Sequence, residues 1–231
     1  MSSLKFFTLW LLLILCIVIV AFNSCDKDDD KSNSPTSDQD VVINGVKWAT
    51  RNVAAPGRFT AKIEDFGMFY QWNREKAWPA TGNVTDWDAS SLTSTQWEIV
   101  NDPSPFGWRV PTSDEIETLF DSDKVSNVWT TKNGVSGRKF TDKTSGNSIF
   151  FPAAGYRFGS DGMLIGVGSY GGYWSGMQYE NYGFPYYFYF DSEKADWLYG
   201  SNNMRWPYDR RGGFSIRAVE NSLLKKLESQ L

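Results

Sequence analysis

The chain has 231 residues, a formal net charge of −4, no His and only two Cys, both within the first 25 positions. Beyond Cys25 there is neither thiol nor imidazole, which excludes zinc sites, thiol nucleophiles, His-based triads and internal disulfides from the rest of the chain. The acidic balance leaves no electrostatic footprint for nucleic acid, and 16% aromatic residues with 20 Gly suit a twisted, turn-rich β fold.

Residues 1–24 read as a targeting segment. Lys5 is a minimal basic region, and the apolar run 6–22 is at the short limit for spanning a bilayer. Small or polar residues then precede Cys25. That arrangement predicts either a lipoprotein signal, with Cys25 acylated as the new N-terminus, or an uncleaved membrane anchor. Acyl chains hold through buried methylenes, at about 0.8 kcal/mol each, so several chains anchor firmly. Residues 26–40 carry six Asp against two Lys and no apolar side chain. Such a stretch cannot pack, so residues 25–40 are expected to be an acidic tether.

A single domain is expected over residues 41–220, long enough for one core. Asn44-Gly45 between β-prone flanks predicts a hairpin over 42–53. Residues 66–72 form a short aromatic strand. Residues 73–101 are polar and irregular, and Trp78, Trp87 and Trp97 are expected to pin that loop down. At 101–112 the chain reads NDPSPFGWRVPT, a rigid turn followed by a short strand. Pro111 bars an earlier helix start. Thr112 and Glu115 have capping-box spacing, and Ile116, Leu119 and Phe120 then fall on one helical face. Beyond it the pattern is strand and turn: 134–140, one strand over 148–158, a turn at 160–162, then 171–176, 186–190, 197–199 and 213–219. The run YYFYF at 186–190 is aromatic at every position, so both of its faces should be covered. Residues 221–231 read as a short amphipathic helix with Leu223, Leu224, Leu227 and Leu231 on one side. It is too short to hold alone and either docks or frays.

Three segments together resemble one family. NDPSPFGWRVPT at 101–112, YWS at 173–175 with YYFYF at 186–190, and GFSIRAV at 213–219 are similar to the signatures of the Fibrobacter succinogenes major paralogous domain. That family occurs in secreted and surface proteins of Bacteroidetes and Fibrobacteres. The resemblance implies an α+β, C-type-lectin-like fold: twisted antiparallel sheets, one or two helices, long irregular loops, and a ligand surface near the C-terminus. Separately, the acidic run directly after Cys25 resembles the signal that exports lipoproteins of Bacteroidetes-type bacteria to the outer face of the outer membrane, though a plain solvated spacer would look the same. Ser104 and Ala218 stand where the family has Cys. Their joint replacement implies that the two positions are bridged in relatives and lie within disulfide reach, with Cα atoms about 4.4–6.8 Å apart.

The resemblance also implies kinship with formylglycine-generating enzymes, but their active-site cysteine pair has no counterpart here. No two carboxylates are paired by any motif, so no catalytic residue is assigned. The Glu-Pro-Asn, Gln-Pro-Asp and Trp-Asn-Asp tripeptides of calcium-dependent lectins are absent. Asn101-Asp102 and Asn202-Asn203 read as turns, and no metal or cofactor is predicted. The remaining candidate is an aromatic and polar recognition surface between 176 and 212. Tyr179, Tyr182, Trp197, Tyr199, Asn202, Arg205, Trp206 and Tyr208 are its expected ligand contacts, with a glycan or a surface protein as ligand. The competing reading makes Trp197, Tyr199 and Trp206 mere cover for a sheet. Arg157 and Arg217 are expected to satisfy buried carboxylates or carbonyls between strands. The function these residues imply is a non-catalytic, lipid-anchored binding or adhesion domain. A structural subunit of an envelope assembly, joined through the Leu-rich tail, is the alternative.

Overall fold

The computed structural model describes residues 40–90, 92–178, 184–199 and 210–222, and for 197–199 the backbone alone. The expected signal segment, the expected tether up to residue 39 and the expected tail helix beyond 222 lie outside the described residues. Among the described residues no helix is long and apolar enough to cross a membrane.

The chain enters through β1 (Asp40–Ile43) and β2 (Val46–Ala49), paired antiparallel with Ile43 opposite Val46. Asn44 and Gly45 both have positive φ, 44° and 81°. That is the two-residue turn whose twist matches a hairpin, and Asn-Gly adopts it at the least steric cost. The turn is clamped from outside. Asp142 accepts the Asn44 N–H at 2.8 Å and the Thr144 and Ser145 N–H groups at 2.9 Å each. These amide donors, Ser145 and Asn44 foremost, hold the Asp142 carboxyl down to about 2. A carboxyl depressed on folding adds stability that is complete above its ordinary value of 3.8 and is lost as pH falls towards about 2. The melting temperature should therefore drop between about pH 4 and pH 2, and Asp142→Asn should flatten that limb. Equal acid slopes in both proteins would contradict the clamp.

Residues 101–120 build the brace that the sequence announces. Trp108–Arg109 form β5, and α1 follows at Ser113–Glu117. Thr112 Oγ1 accepts the Glu115 N–H, and Glu115 Oε2 accepts the Thr112 N–H at 2.8 Å, closing the capping box. Arg109 grips the same carboxylate with both guanidinium arms, at 2.8 and 2.6 Å. Burial works to raise the Glu115 carboxyl, but the Arg109 fork and the Thr112 N–H outweigh it and hold it low. The α-helix is only five residues long. It tightens into a 3-10 turn at Thr118–Phe120. Thr118 Oγ1 bonds back to the Glu115 carbonyl at 2.7 Å, where the regular ladder gives way. Ile116 and Leu119 enter the core, and Phe120 packs against it.

The remaining strands are β3 (Met68–Gln71), β4 (Ala77–Pro79), β6 (Val125–Lys132), β7 (Val135–Asp142), β8 (Ser148–Pro152), β9 (Tyr156–Arg157), β10 (Leu164–Ile165), β11 (Gly171–Gln178), β12 (Pro185–Phe190), β13 (Ala195–Tyr199), β14 (Gly213–Phe214) and β15 (Val219–Glu220). They form four antiparallel sheets, ordered β1-β2-β15-β5, β10-β9-β14-β3-β4, β11-β12-β13 and β6-β7-β8. With one short helix among the described residues, the fold is α+β.

Three strand expectations need correction. The expected strand over 213–219 is two short ones, β14 and β15, in different sheets with residues 215–218 between them. The expected single strand over 148–158 is two. Pro152 ends β8, and the chain turns at Ala153, Ala154 and Gly155 before β9. Gly155 has φ +78°, and a Cβ there would sit 2.3 Å from the Ile165 carbonyl, so only Gly permits that approach. The irregular stretch 73–101 also contains β4, which pairs with β3. Its three Trp anchors behave as expected: Trp78 and Trp97 are buried, and Trp87 packs 4.8 Å from Trp78 and donates to the Gly159 carbonyl at 3.1 Å.

The segment 213–220 ties the sheets together. β14 pairs with β3 and β9, Ser215 bridges in parallel to Tyr173, and β15 lies between β2 and β5. The aromatic strand β12 feeds two core clusters. Phe188 and Phe190 join one, and Tyr187 and Tyr189 the other, so both faces are covered. Two buried guanidinium groups lock the interior. Arg157 gives all its bonds to carbonyls, of Pro79, Thr81, Gly82 and Gly162, at 2.6 to 3.1 Å. Arg217 donates to Asn52 Oδ1 at 2.9 Å, to the Ala49 and Phe150 carbonyls at 3.3 and 3.1 Å, and to the Thr50 carbonyl. Both take the carbonyl half of the expected choice.

Candidate functional site

The expected ligand surface hangs on the sheet β11-β12-β13, and its register fixes where the connecting segments leave. Gln178 at the end of β11 faces Pro185 at the start of β12. Tyr186, the next residue, faces Tyr199 at the end of β13. Segments 179–184 and 200–209 therefore both leave from the same end of one sheet. Tyr179 and Tyr182 belong to the first segment, and Asn202, Arg205, Trp206 and Tyr208 to the second. All six lie outside the described residues, as does Cys25. Trp197 and Tyr199 are in β13, opposite Phe188 and Tyr186.

Around these stems the described residues form a fixed rim. The 92–97 stretch joins β11 through the Gln96–Met177 bridge and the Trp97 N–H, which donates to the Gly176 carbonyl at 2.7 Å. The Gly176 N–H in turn donates to the Pro111 carbonyl at 2.7 Å, so the helix brace reaches this end directly. Arg210, where the chain returns, donates to Gln178 Oε1 and to the Leu92 carbonyl. Its guanidinium lies 5.1 Å from the Trp72 ring centre, and its carbonyl accepts the Trp72 N–H at 3.1 Å. Burial lowers its pKa. The two segments thus begin and end on anchored backbone.

The described aromatics beneath this end are structural. Trp72 and Trp174 are fully buried, and each indole N–H is spent on a carbonyl, of Ser175 at 2.9 Å and Tyr70 at 2.7 Å. Sequence reasoning missed the aliphatic part of the rim. Ile99 and Val100, in the 3-10 turn Ile99–Asn101 just after Trp97, are 94% and 77% exposed, and Met177 is 38% exposed. The signal was an apolar pair inside an otherwise polar stretch. Among the described residues no cluster of three or more acidic, His or Cys side chains could hold a metal ion.

The chain matches no family model, no curated protein and no solved structure.

Proposed function

We propose that this chain is a lipid-anchored, non-catalytic surface-binding domain that recognises a glycan or a surface protein through segments 179–184 and 200–209. The observation that carries this reading is the strand register. It sets the stems of two segments rich in Tyr, Trp, Asn and Arg at one end of one sheet, where Arg210 and Trp97 anchor the backbone. Rigid Tyr and Trp faces with adaptable Asn and Arg donors suit recognition at low entropic cost.

The finer fold assignment is part of the proposal. The three segments that resemble the signatures of the Fibrobacter succinogenes major paralogous family support a reading as a C-type-lectin-like member of it. One is the brace at 101–112, one the sheet at 173–190, and one the spine at 213–219. Cys25 would carry the acyl chains, and residues 26–40 would tether the domain at the outer face of the outer membrane. Protease treatment of intact cells tests this address: the domain should be released, and full protection would refute surface exposure. Binding itself is tested by screening the chain from Asp26 onward against arrayed glycans and surface proteins, with and without calcium. A saturable ligand is expected in both conditions.

A further inference from the structure

The geometry points to a second binding site, for a small hydroxylated carboxylate of hexuronate size, in the cleft between the outer face of β6-β7-β8 and segment 50–63. The sheet register puts the relevant side chains together. Thr130 faces Gly137, Lys139 faces Phe150, and Thr141 faces Ser148. Side chains alternate along strands, so Thr130, Lys132, Lys139, Ser148 and Phe150 share one face. The opposite face carries Phe140, Ile149 and Phe151 into the core. The outer face should then be plain solvated sheet, but it is not. Gly137 leaves a gap that the Phe150 ring fills; a Cβ at 137 would sit 2.6 Å from Phe150 Cζ. That flat ring, with Ile63 from the covering segment, gives the cleft an apolar floor under a polar wall. Its volume is about 260 Å³, below the range typical of drug-sized sites, and so fits a monosaccharide-sized ligand.

The charge is positive from two sides. Lys132 and Lys139 line the cleft, and among the described residues neither forms an ion pair with a carboxylate. Glu64 feels the Lys132 charge, but its carboxylate is taken by Asn133 Nδ2 at 2.9 Å. Behind the wall, buried Arg217 donates to the carbonyls of Thr50 and Phe150, both cleft residues. Two ammonium groups on the wall, with a buried guanidinium bonded to two cleft carbonyls, favour an anion. The Thr130 and Ser148 hydroxyls and the Phe150 ring suit the hydroxyls and apolar face of a sugar ring.

Isothermal titration of the chain from Asp26 with glucuronate, glucose and inorganic phosphate tests the site. Saturable glucuronate binding is expected, weakened about tenfold or more by Lys132→Ala with Lys139→Ala and largely kept by Lys139→Arg. Thermal melts of the variants verify folding, and both lysines are at the surface of a paired hairpin. Three results would overturn the site: no saturable glucuronate binding, glucose binding equally well, or binding indifferent to the double substitution. Phosphate binding as tightly as glucuronate would overturn the sugar class. The cleft shares no residue with the end of β11-β12-β13, so each of these results leaves the recognition surface there untouched.

Discussion

Replacing Arg217 with Met should lower the melting temperature by about 8–16 °C, the equivalent of roughly 4 kcal/mol for a domain of this size. The opposing effect is real: exchanging a buried charge for an apolar side chain can stabilise a protein. Here it should lose, because the acceptors stay behind. Asn52 Oδ1 and the carbonyls of Ala49 and Thr50 come from one stretch and the Phe150 carbonyl from another, and all four converge on one guanidinium. Methionine offers none of them a donor, and each oxygen left dry costs about 1–3 kcal/mol. Asn52 also loses its fixed orientation. Its amide donates to the Phe66 carbonyl at 2.9 Å and to Tyr173 Oη at 3.1 Å, so the damage should spread to β3 and β11. Arg217→Lys should recover only part, since an ammonium lacks the planar fork. A Met variant melting within about 2 °C of the parent would contradict this role.

The second large effect is a gain. Ser104→Cys combined with Ala218→Cys, in the chain starting at Asp26, should oxidise spontaneously and raise stability by about 4–5 kcal/mol, because the closed loop spans roughly 110 residues. The expectation comes from the family resemblance. Asp102 accepts the Ser104 N–H and the Val110 N–H, each at 2.9 Å, so Ser104 is held beside β5. Arg109 in β5 pairs with Val219, the neighbour of Ala218. The Ser104 hydroxyl is buried without a hydrogen-bond partner, and Ala218 is fully buried. A small side chain that wastes its polar atom suits a site shaped for sulfur. Melting with and without reductant reads the effect. A pair that stays reduced, or an oxidised form that melts no higher, would remove this support for the family assignment.

The legible parts of the fold were those where local chemistry and tertiary structure demand the same thing. Asn44-Gly45 must turn, Thr112 and Glu115 must cap, and an all-aromatic strand must be covered twice. Where several outcomes satisfy the local pattern, reading failed. The polar, β-branched run VSNVWTTK has little apolar alternation, yet it pairs fully with β7 through a second Asn-Gly turn at 133–134. The break inside 148–158 depends on how closely Gly155 approaches the Ile165 carbonyl, a contact between residues ten apart that no periodicity reports. For the candidate site, the Gly-, Asn- and Tyr-rich stretches between strands are legible by composition. That both leave from one end of the sheet was not legible, since it follows from the Gln178–Pro185 and Tyr186–Tyr199 pairings. The exposed Ile99 and Val100 were hidden for a related reason: exposure of an apolar pair is a property of the surface, not of the string.

Whether one end of β11-β12-β13 carries the recognition surface is tested by comparing two sets of variants against whichever ligand the array identifies. Tyr179→Ala, Tyr182→Ala and Trp206→Ala should each abolish or sharply weaken binding while leaving the melting temperature within about 2 °C of the parent. Leu224→Ala with Leu227→Ala should leave binding intact. Retained binding in all three aromatic variants, with loss only in the leucine pair, would contradict the account and identify the chain as a subunit held in an assembly through its tail.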